Sequence, residues 1–243
     1  MKNEVAIVIG AGSEIAKALV LKLHKQMLVV ALSRDLSYYC QAQLEHVHKV
    51  EISTYSESNI AHAAELINIK IQGYSRINIF VCNGLLHNER CFPEKRIEDF
   101  SADSFSEIMS ANALTAMLWL KYLTPLMASK ISCKVVVFSA RVGSIGDNQL
   151  GGWYSYRASK AALNMLLKCV SIEFSRRAKN IKLISFHPGT TDSPLSKPFQ
   201  KNVAKDKLFT SDFVAGRLID IIEQAELDGE LSYLDWQGNS IVW

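Results

Sequence analysis

No stretch of this chain approaches the ~20 consecutive apolar residues that a membrane-spanning helix needs. The opening, Met1-Lys2-Asn3-Glu4, runs straight into a strand-like segment with a carboxylate at its head, unlike a secretory leader, so the cytoplasm is the expected location. Cysteine is scarce. Cys40, Cys82, Cys91, Cys133 and Cys169 are odd in number, widely spaced and without a CxxC, which excludes a disulfide framework and leaves packing thiols. His46 and His48 would share one face of a strand, but no cysteine or third histidine has matching spacing, and no metal site is expected. An excess of one charge is also missing. The net charge of +3 is spread along the chain and the densest cluster, residues 94–99, is mixed in sign, so neither a nucleic-acid groove nor a membrane-binding face is expected. Proline and glycine gather into no tract and no linker is visible, so residues 1–243 are expected to form one domain.

What is present is a large apolar fraction, 49%, enough for an extensive core, arranged in an alternating pattern. Residues 4–10 are continuously apolar after Glu4 and closed by Gly10, as suits a strand buried on both faces. Residues 15–24 carry Ile15, Ala18, Leu19 and Leu23 at helical period. Strand-like segments follow at 27–32, 47–50 and 77–82, with a helical pattern at 56–71 between the last two. The second half repeats the alternation. Residues 105–130 read as two helices meeting near Asn112, 134–139 as a strand, 153–177 as a long helix, 182–187 as a strand and 212–224 as a last helix. Residues 192–208 read as a functional excursion and 232–236 as an edge strand. The prediction is an α/β fold, a doubly wound parallel sheet of about seven strands with helices on both faces.

Two local patterns point to chemistry. Tyr156 and Lys160 are four apart in the long helical segment, so the ammonium stands one turn from the phenol. A free tyrosine has a pKa near ~10, and a neighbouring cation favours its phenolate, which makes the pair a proton-transfer device. The bland alternative is a half-exposed tyrosine beside a solvated lysine. The turn from Ile9 to Ala16 reads GxGxxxA between the first strand and first helix, where small residues let a pyrophosphate approach a helix N-terminus. At the end of the second strand, Ser33-Arg34 occupies the place where an arginine pairs with a 2′-phosphate, with Asp35 one residue further on. NADP(H) is therefore favoured, NAD(H) is the alternative, and a solvated loop charge is the bland reading.

These residues resemble the short-chain dehydrogenase/reductase family over nearly the whole chain. Tyr156 and Lys160 match its YxxxK pair, Gly10, Gly12 and Ala16 its glycine-rich turn, and Asn112 its active-site asparagine. Asn83-Gly84 is similar to its NNAG strand end, and Pro188-Gly189 to its PG motif. Residues 83–87 and 139–145 resemble the bacterial C-factor-like subgroup. The resemblance implies a Rossmann domain with Tyr156 as general acid or base, Lys160 holding the nicotinamide ribose and depressing the tyrosine pKa, and Asn112 supporting a water relay. It implies cofactor contacts from Gly10, Gly12, Ser13, Glu14 and Ile15, from Ser33 and Arg34, from Glu51 and Ile52, and from Asn83 and Gly84. Further contacts are implied at Pro188, Gly189, Thr191 and Ser193, and a substrate lid over residues 194–209. It also implies a homodimer or homotetramer.

Three positions depart from the family pattern. Glu14 replaces the middle glycine of the turn, and either repels the cofactor or faces water. Glu51 stands for the usual aspartate after the third strand. The strand-end serine pair reads Ser139-Ala140, so the hydroxyl that steadies the oxyanion is supplied by Ser139, by Ser144, or by neither. The expected activity is hydride transfer between NADP(H) and a small carbonyl or alcohol. The alternative is a weak or inactive NADP(H)-binding sensor or signalling protein on the same scaffold.

Overall fold

The computed structural model describes residues 3–41, 44, 47–128 and 131–243. His46 lies outside the described residues, as do Lys130 at the end of the expected helical stretch and Met1 and Lys2.

The first half alternates β1 (Glu4–Ile9), α1 (Glu14–Leu23), β2 (Leu28–Ser33), the short α2 (Ser37–Gln41), β3 (Val47–Glu51), α3 (Glu57–Lys70) and β4 (Arg76–Val81). Then come α4 (Ala102–Met109), α5 (Thr115–Met127), β5 (Ser132–Phe138), α6 (Tyr154–Arg177), β6 (Ile181–His187), the two-residue β7 (Thr190–Thr191) and β8 (Leu208–Phe209), α7 (Ser211–Gln224) and β9 (Leu231–Asp235). The seven long strands form one parallel sheet in the order β3-β2-β1-β4-β5-β6-β9.

Strand alternation explains the two cores. On β1, Val5, Ile7 and Ile9 face a layer containing Ile60, Trp119 and Leu163 of α3, α5 and α6, while Ala6 and Val8 face Leu19 of α1 and Val214 of α7. Because both faces are covered, the central strands β1 and β2 read as near-continuous apolar runs, whereas the edge strand β3 reads Val-His-Lys-Val-Glu with only its valines buried. Trp119 is fully buried, and trimming such a side chain to alanine costs about 3–5 kcal/mol. The winding reverses between β1 and β4, which opens a crevice at their carboxyl ends, where Ile9 lies beside Val81.

The expected elements are found within a residue or two at most ends. The edge strand runs Leu231–Asp235 rather than 232–236, and Trp236 instead stacks on Phe209, with ring centroids 4.3 Å apart. The two helices expected to meet near Asn112 are joined by a π-helical turn, Ser110–Leu114, in which Thr115 N–H reaches back to Ser110 O. Within the excursion after β6, β8 pairs with β7, and the residues between them include a 3₁₀ segment, Lys197–Asn202. Among the described residues no helix is long and apolar enough to cross a membrane.

Helix starts are mostly satisfied locally. Ser13, Ser56, Ser101 and Thr210 each accept from a backbone N–H of the helix they begin. The long helix α6 does without such a bond: it is preceded by Trp153 in the left-handed region (φ 52°), whose side chain makes no capping bond.

Candidate active site

The crevice is lined at one end by the turn after β1. Gly10 has φ +74°, and a Cβ there would lie 3.0 Å from Asn83 N, so only glycine brings this turn against the end of β4. The Tyr39 hydroxyl donates to Ala11 O at 2.6 Å and pins the turn from below. Ser13 Oγ accepts from Ala16 N–H and starts α1. Lys17 Nζ holds Glu14 Oε1 at 2.8 Å, so the carboxylate lines the cavity with its charge paired to a neighbouring cation. Ile15 lines the same cavity, of about 300 Å³, together with Gly12, Asn83 and Gly84.

An adjoining recess of about 630 Å³ is lined by Arg34, Thr54, Tyr55 and Ser56. Arg34 is exposed, 5.7 Å from the Tyr55 ring centroid, and forms no ion pair among the described residues. Burial raises the Tyr55 phenol above its usual range, partly offset by a hydrogen bond with Asn83. Asn83 Oδ1 and Thr191 Oγ1 are buried with no protein partner among the described residues. Asn83 lines both the cavity and the recess, so its unsatisfied oxygen is open to a polar ligand there. Ile52 is buried and donates its N–H to Ser33 O, whereas Glu51 is exposed.

The middle of the cleft holds Tyr156, Lys160 and Asn112. Lys160 Nζ lies 5.8 Å from the Tyr156 ring centroid and donates to Phe138 O at 2.9 Å. Gly143 packs on the backbone of Lys160, where a Cβ would come within 2.8 Å of its carbonyl carbon. Burial pushes the lysine pKa down to about 8 and pushes the Tyr156 phenol up, with Tyr233 adding to the latter. The expected depression of the tyrosine pKa is thus not found in the bare cleft, because desolvation of the phenolate outweighs a cation bonded to another oxygen. No side chain among the described residues hydrogen-bonds the Tyr156 hydroxyl.

Asn112 sits in the π-helical turn and is held from three sides. Its Oδ1 accepts from Leu85 N–H at 2.7 Å, and its Nδ2 donates to Leu85 O and Ser159 Oγ, both at 2.9 Å. Ser159 donates onward to Tyr156 O at 2.8 Å, so the asparagine is tied to the tyrosine's own turn. π-turns concentrate at functional sites because the extra residue re-aims a side chain.

The candidate serines are engaged elsewhere. Ser139 lines the cavity, but its hydroxyl donates to Asn164 Oδ1 at 2.8 Å. Ser144 Oγ accepts from Asp147 N–H and closes a tight turn. Ala140 belongs, with Leu86, Cys91 and Ile108, to the apolar cluster that includes Tyr156. His187, at the end of β6, has its pKa lowered to about 4 by burial and by Arg141.

Past the tyrosine the walls are apolar and aromatic. Trp153 lies 6.2 Å from the Tyr156 ring and 5.0 Å from Phe199, and Phe199 is 5.6 Å from His87. Phe199 belongs to the expected lid, which His87 also touches through Leu195 O. Gly189 (φ +74°) turns the chain beneath Phe209, and Pro188 and Ser193 line the cavity. The Ser193 hydroxyl donates to Thr191 O. Of the expected residues, Gly12, Ser13, Glu14, Ile15, Asn83, Gly84, Ser139, Tyr156, Lys160, Pro188 and Ser193 line the cavity and Arg34 lines the adjoining recess, whereas Ser33, Glu51, Ile52 and Thr191 line neither and Ser144 is folded into its own turn. Sequence reasoning missed Tyr39, Tyr55 and Glu94. The two tyrosines belong to no motif, and Glu94 lies in a mixed-charge run that reads as solvated although it is buried.

A parallel sheet in this order, with a glycine turn at the switch point and a Tyr-Lys-Asn set beside it, is the arrangement of short-chain dehydrogenases. The chain belongs to that family: the short chain dehydrogenase model matches residues 4–204. Benzil reductase ((S)-benzoin forming) of Bacillus subtilis (strain 168) is 26% identical over 243 aligned residues, covering 94% of this chain and 97% of the relative. C-signal of Myxococcus xanthus is 29% identical over 110 residues, covering 45% of this chain and 61% of its own length, in keeping with the C-factor-like resemblance. Among solved structures, the NADPH-bound carbonyl reductase from chicken fatty liver superposes with a TM-score of 0.84 at 21% identity, covering 100% of this chain and 99% of that one.

Proposed function

We propose that this protein is an NADP(H)-dependent carbonyl reductase acting on substrates with apolar or aromatic substituents. The observation that carries this reading is the Tyr156 hydroxyl, without a hydrogen-bond partner among the described residues, in the same cavity as Lys160 and the glycine turn. The residues fit a dinucleotide: the buried Asn83 Oδ1 and Thr191 Oγ1 need polar partners, the Gly10 turn leaves room for backbone approach, and Arg34 is available to a 2′-phosphate. When bound, that cofactor supplies or accepts the hydride. Tyr156 holds the proton that the substrate oxygen takes up, Lys160 and Asn112 keep that phenol and its surroundings in register, and Trp153 and Phe199 exclude water from the substrate side. The NADPH-bound state of the chicken relative supports the cofactor assignment, and the name of the Bacillus relative supports an aromatic dicarbonyl as first substrate to try.

Purified protein is expected to oxidise NADPH in the presence of aryl 1,2-diketones or aryl ketones. No turnover over a broad panel of carbonyl compounds, measured by NADPH absorbance, would refute the proposal. Ala140 motivates a second reading, a nucleotide-binding sensor with little catalysis, because its methyl belongs to the same apolar cluster as Tyr156 and neither nearby serine replaces it. Calorimetric titration separates the two: the sensor binds NADPH and has no activity to lose on Tyr156→Phe.

A further inference from the structure

The helix that carries Tyr156 lacks a cap in its own sequence. Gly151, Gly152 and Trp153 precede it with φ of +64°, +62° and +52°, a run of left-handed residues that leads the chain sharply into α6. Trp153 offers no side-chain oxygen to the free N–H groups of the first turn. One of those groups, the Ser155 N–H, is met from 61 residues away. Glu94, only 3% exposed, accepts from Ser155 N–H on both carboxylate oxygens, at 3.4 and 3.2 Å, and from the Ser155 hydroxyl on Oε1. Its backbone oxygen accepts from Trp153 N–H at 2.6 Å, and a Cβ on Gly152 would lie 3.3 Å from that same oxygen.

Among the described residues Glu94 forms no ion pair, so its burial is compensated by these donors and by the positive end of the helix. The rise of the Tyr156 pKa comes from burial and from Tyr233, with no part played by Glu94. What the carboxylate can contribute to Tyr156 is therefore its placement rather than its acidity. Because Trp153 is fixed by the same residue, one glutamate sets both the proton donor and the aromatic wall 6.2 Å from it.

We propose that Glu94 is a positioning residue for the reaction: a cap supplied by the loop 85–99, which fixes the first turn of α6 so that Tyr156 and Trp153 face the substrate. This rests on the reading of Tyr156 as proton donor. In kinetics on the full chain with NADPH and an aryl 1,2-diketone, Glu94→Ala is expected to lower kcat on the order of 10- to 100-fold, the scale of an ångström-sized misplacement. The NADPH dissociation constant is expected to stay within about twofold, because the nucleotide-binding turn lies elsewhere. Glu94→Gln is expected to recover most of kcat, since its amide oxygen still accepts from Ser155 N–H, and it also guards against an alanine variant that does not fold. Adding Ser155→Ala to Glu94→Ala should cost little more, because both remove one interaction.

The proposal is overturned if Glu94→Ala keeps kcat within about twofold of native, or if Glu94→Gln is as impaired as Glu94→Ala. Should the native protein show no turnover, the reading of Tyr156 has failed, and amide hydrogen exchange judges Glu94 separately. Loss of protection at Ser155 and Tyr156 in Glu94→Ala but not in Glu94→Gln, with the rest of α6 unchanged, upholds the cap; unchanged protection in Glu94→Ala rejects it.

Discussion

The two halves of the cleft are built on different plans. The half around Gly10, Arg34 and Asn83 is made from strand ends: each side chain lies within a few residues of β1, β2 or β4, and the parallel sheet delivers them side by side. The half around Trp153 and Phe199 is made from three long connections that meet only through contacts between distant residues, such as Glu94 with Ser155 and His87 with Leu195. The first plan derives precision from the sheet. The second derives it from individual hydrogen bonds, and it should be the easier of the two to disturb without losing the fold.

The comparison can be broken most severely at Tyr156, which stands between the halves. Tyr156→Phe is expected to lower carbonyl reduction by about 10²- to 10⁴-fold, with NADPH binding intact by calorimetry. Equal loss of both would mean that the halves are not separable.

Next is Lys160, buried with a pKa pushed from 10.5 down to about 8. Below that value both folded and unfolded chains carry the proton, and the folded one bears the full cost of burying the charge. As pH rises from 8 to 10.5 the folded chain has released its proton while the unfolded chain still binds one, so the contribution of Lys160 to stability rises with pH, by at most about 1.4 kcal/mol per unit. The buried Cys82 and Cys133 thiols, held protonated by burial, act in the opposite sense on any variant, so urea titrations of nucleotide-free native protein and Lys160→Met are to be compared: the native protein should gain on the variant across that window, and a constant difference would contradict the lowered lysine pKa.

Arg34→Ala tests the strand-end half alone. A lost charge-assisted contact should weaken NADPH about 10- to 100-fold and leave NADH nearly unchanged. Equal weakening of both nucleotides would place the 2′-phosphate elsewhere.

Gly143→Ala would drive a methyl against the Lys160 backbone and should destabilise the fold by about 1–3 kcal/mol, visible as a lower melting temperature. The smallest effect is expected from Ser139→Ala: about 1 kcal/mol of stability from the lost bond to Asn164, and kcat within about twofold. A collapse of kcat in this variant would restore Ser139 to the catalytic set.

The same division governs what could be read from the chain. The strands were legible because both their faces are buried, and Gly10, Asn112, Tyr156 and Lys160 because each belongs to a short pattern at a strand or helix end. Glu94 was not, since nothing in the run from 94 to 99 distinguishes a buried carboxylate from a solvated one until Ser155 is placed beside it. The fate of Ser139 was equally hidden: only the position of Asn164, 25 residues on, shows where its hydroxyl points. The rise in the Tyr156 pKa depends on how much of the ring is desolvated, which local spacing does not report.

The π-helical turn at Ser110–Leu114 makes this stretch sensitive to changes in length. A π-turn holds one residue more than the α-turn it replaces, so a single deletion there would let the stretch close into ordinary helix with α5 still in phase. Trp119 would keep its place in the interior, and what would be lost is the aim of Asn112. The surplus residue thus serves the asparagine rather than the architecture, and its removal would be a change of length that the fold tolerates and the site does not.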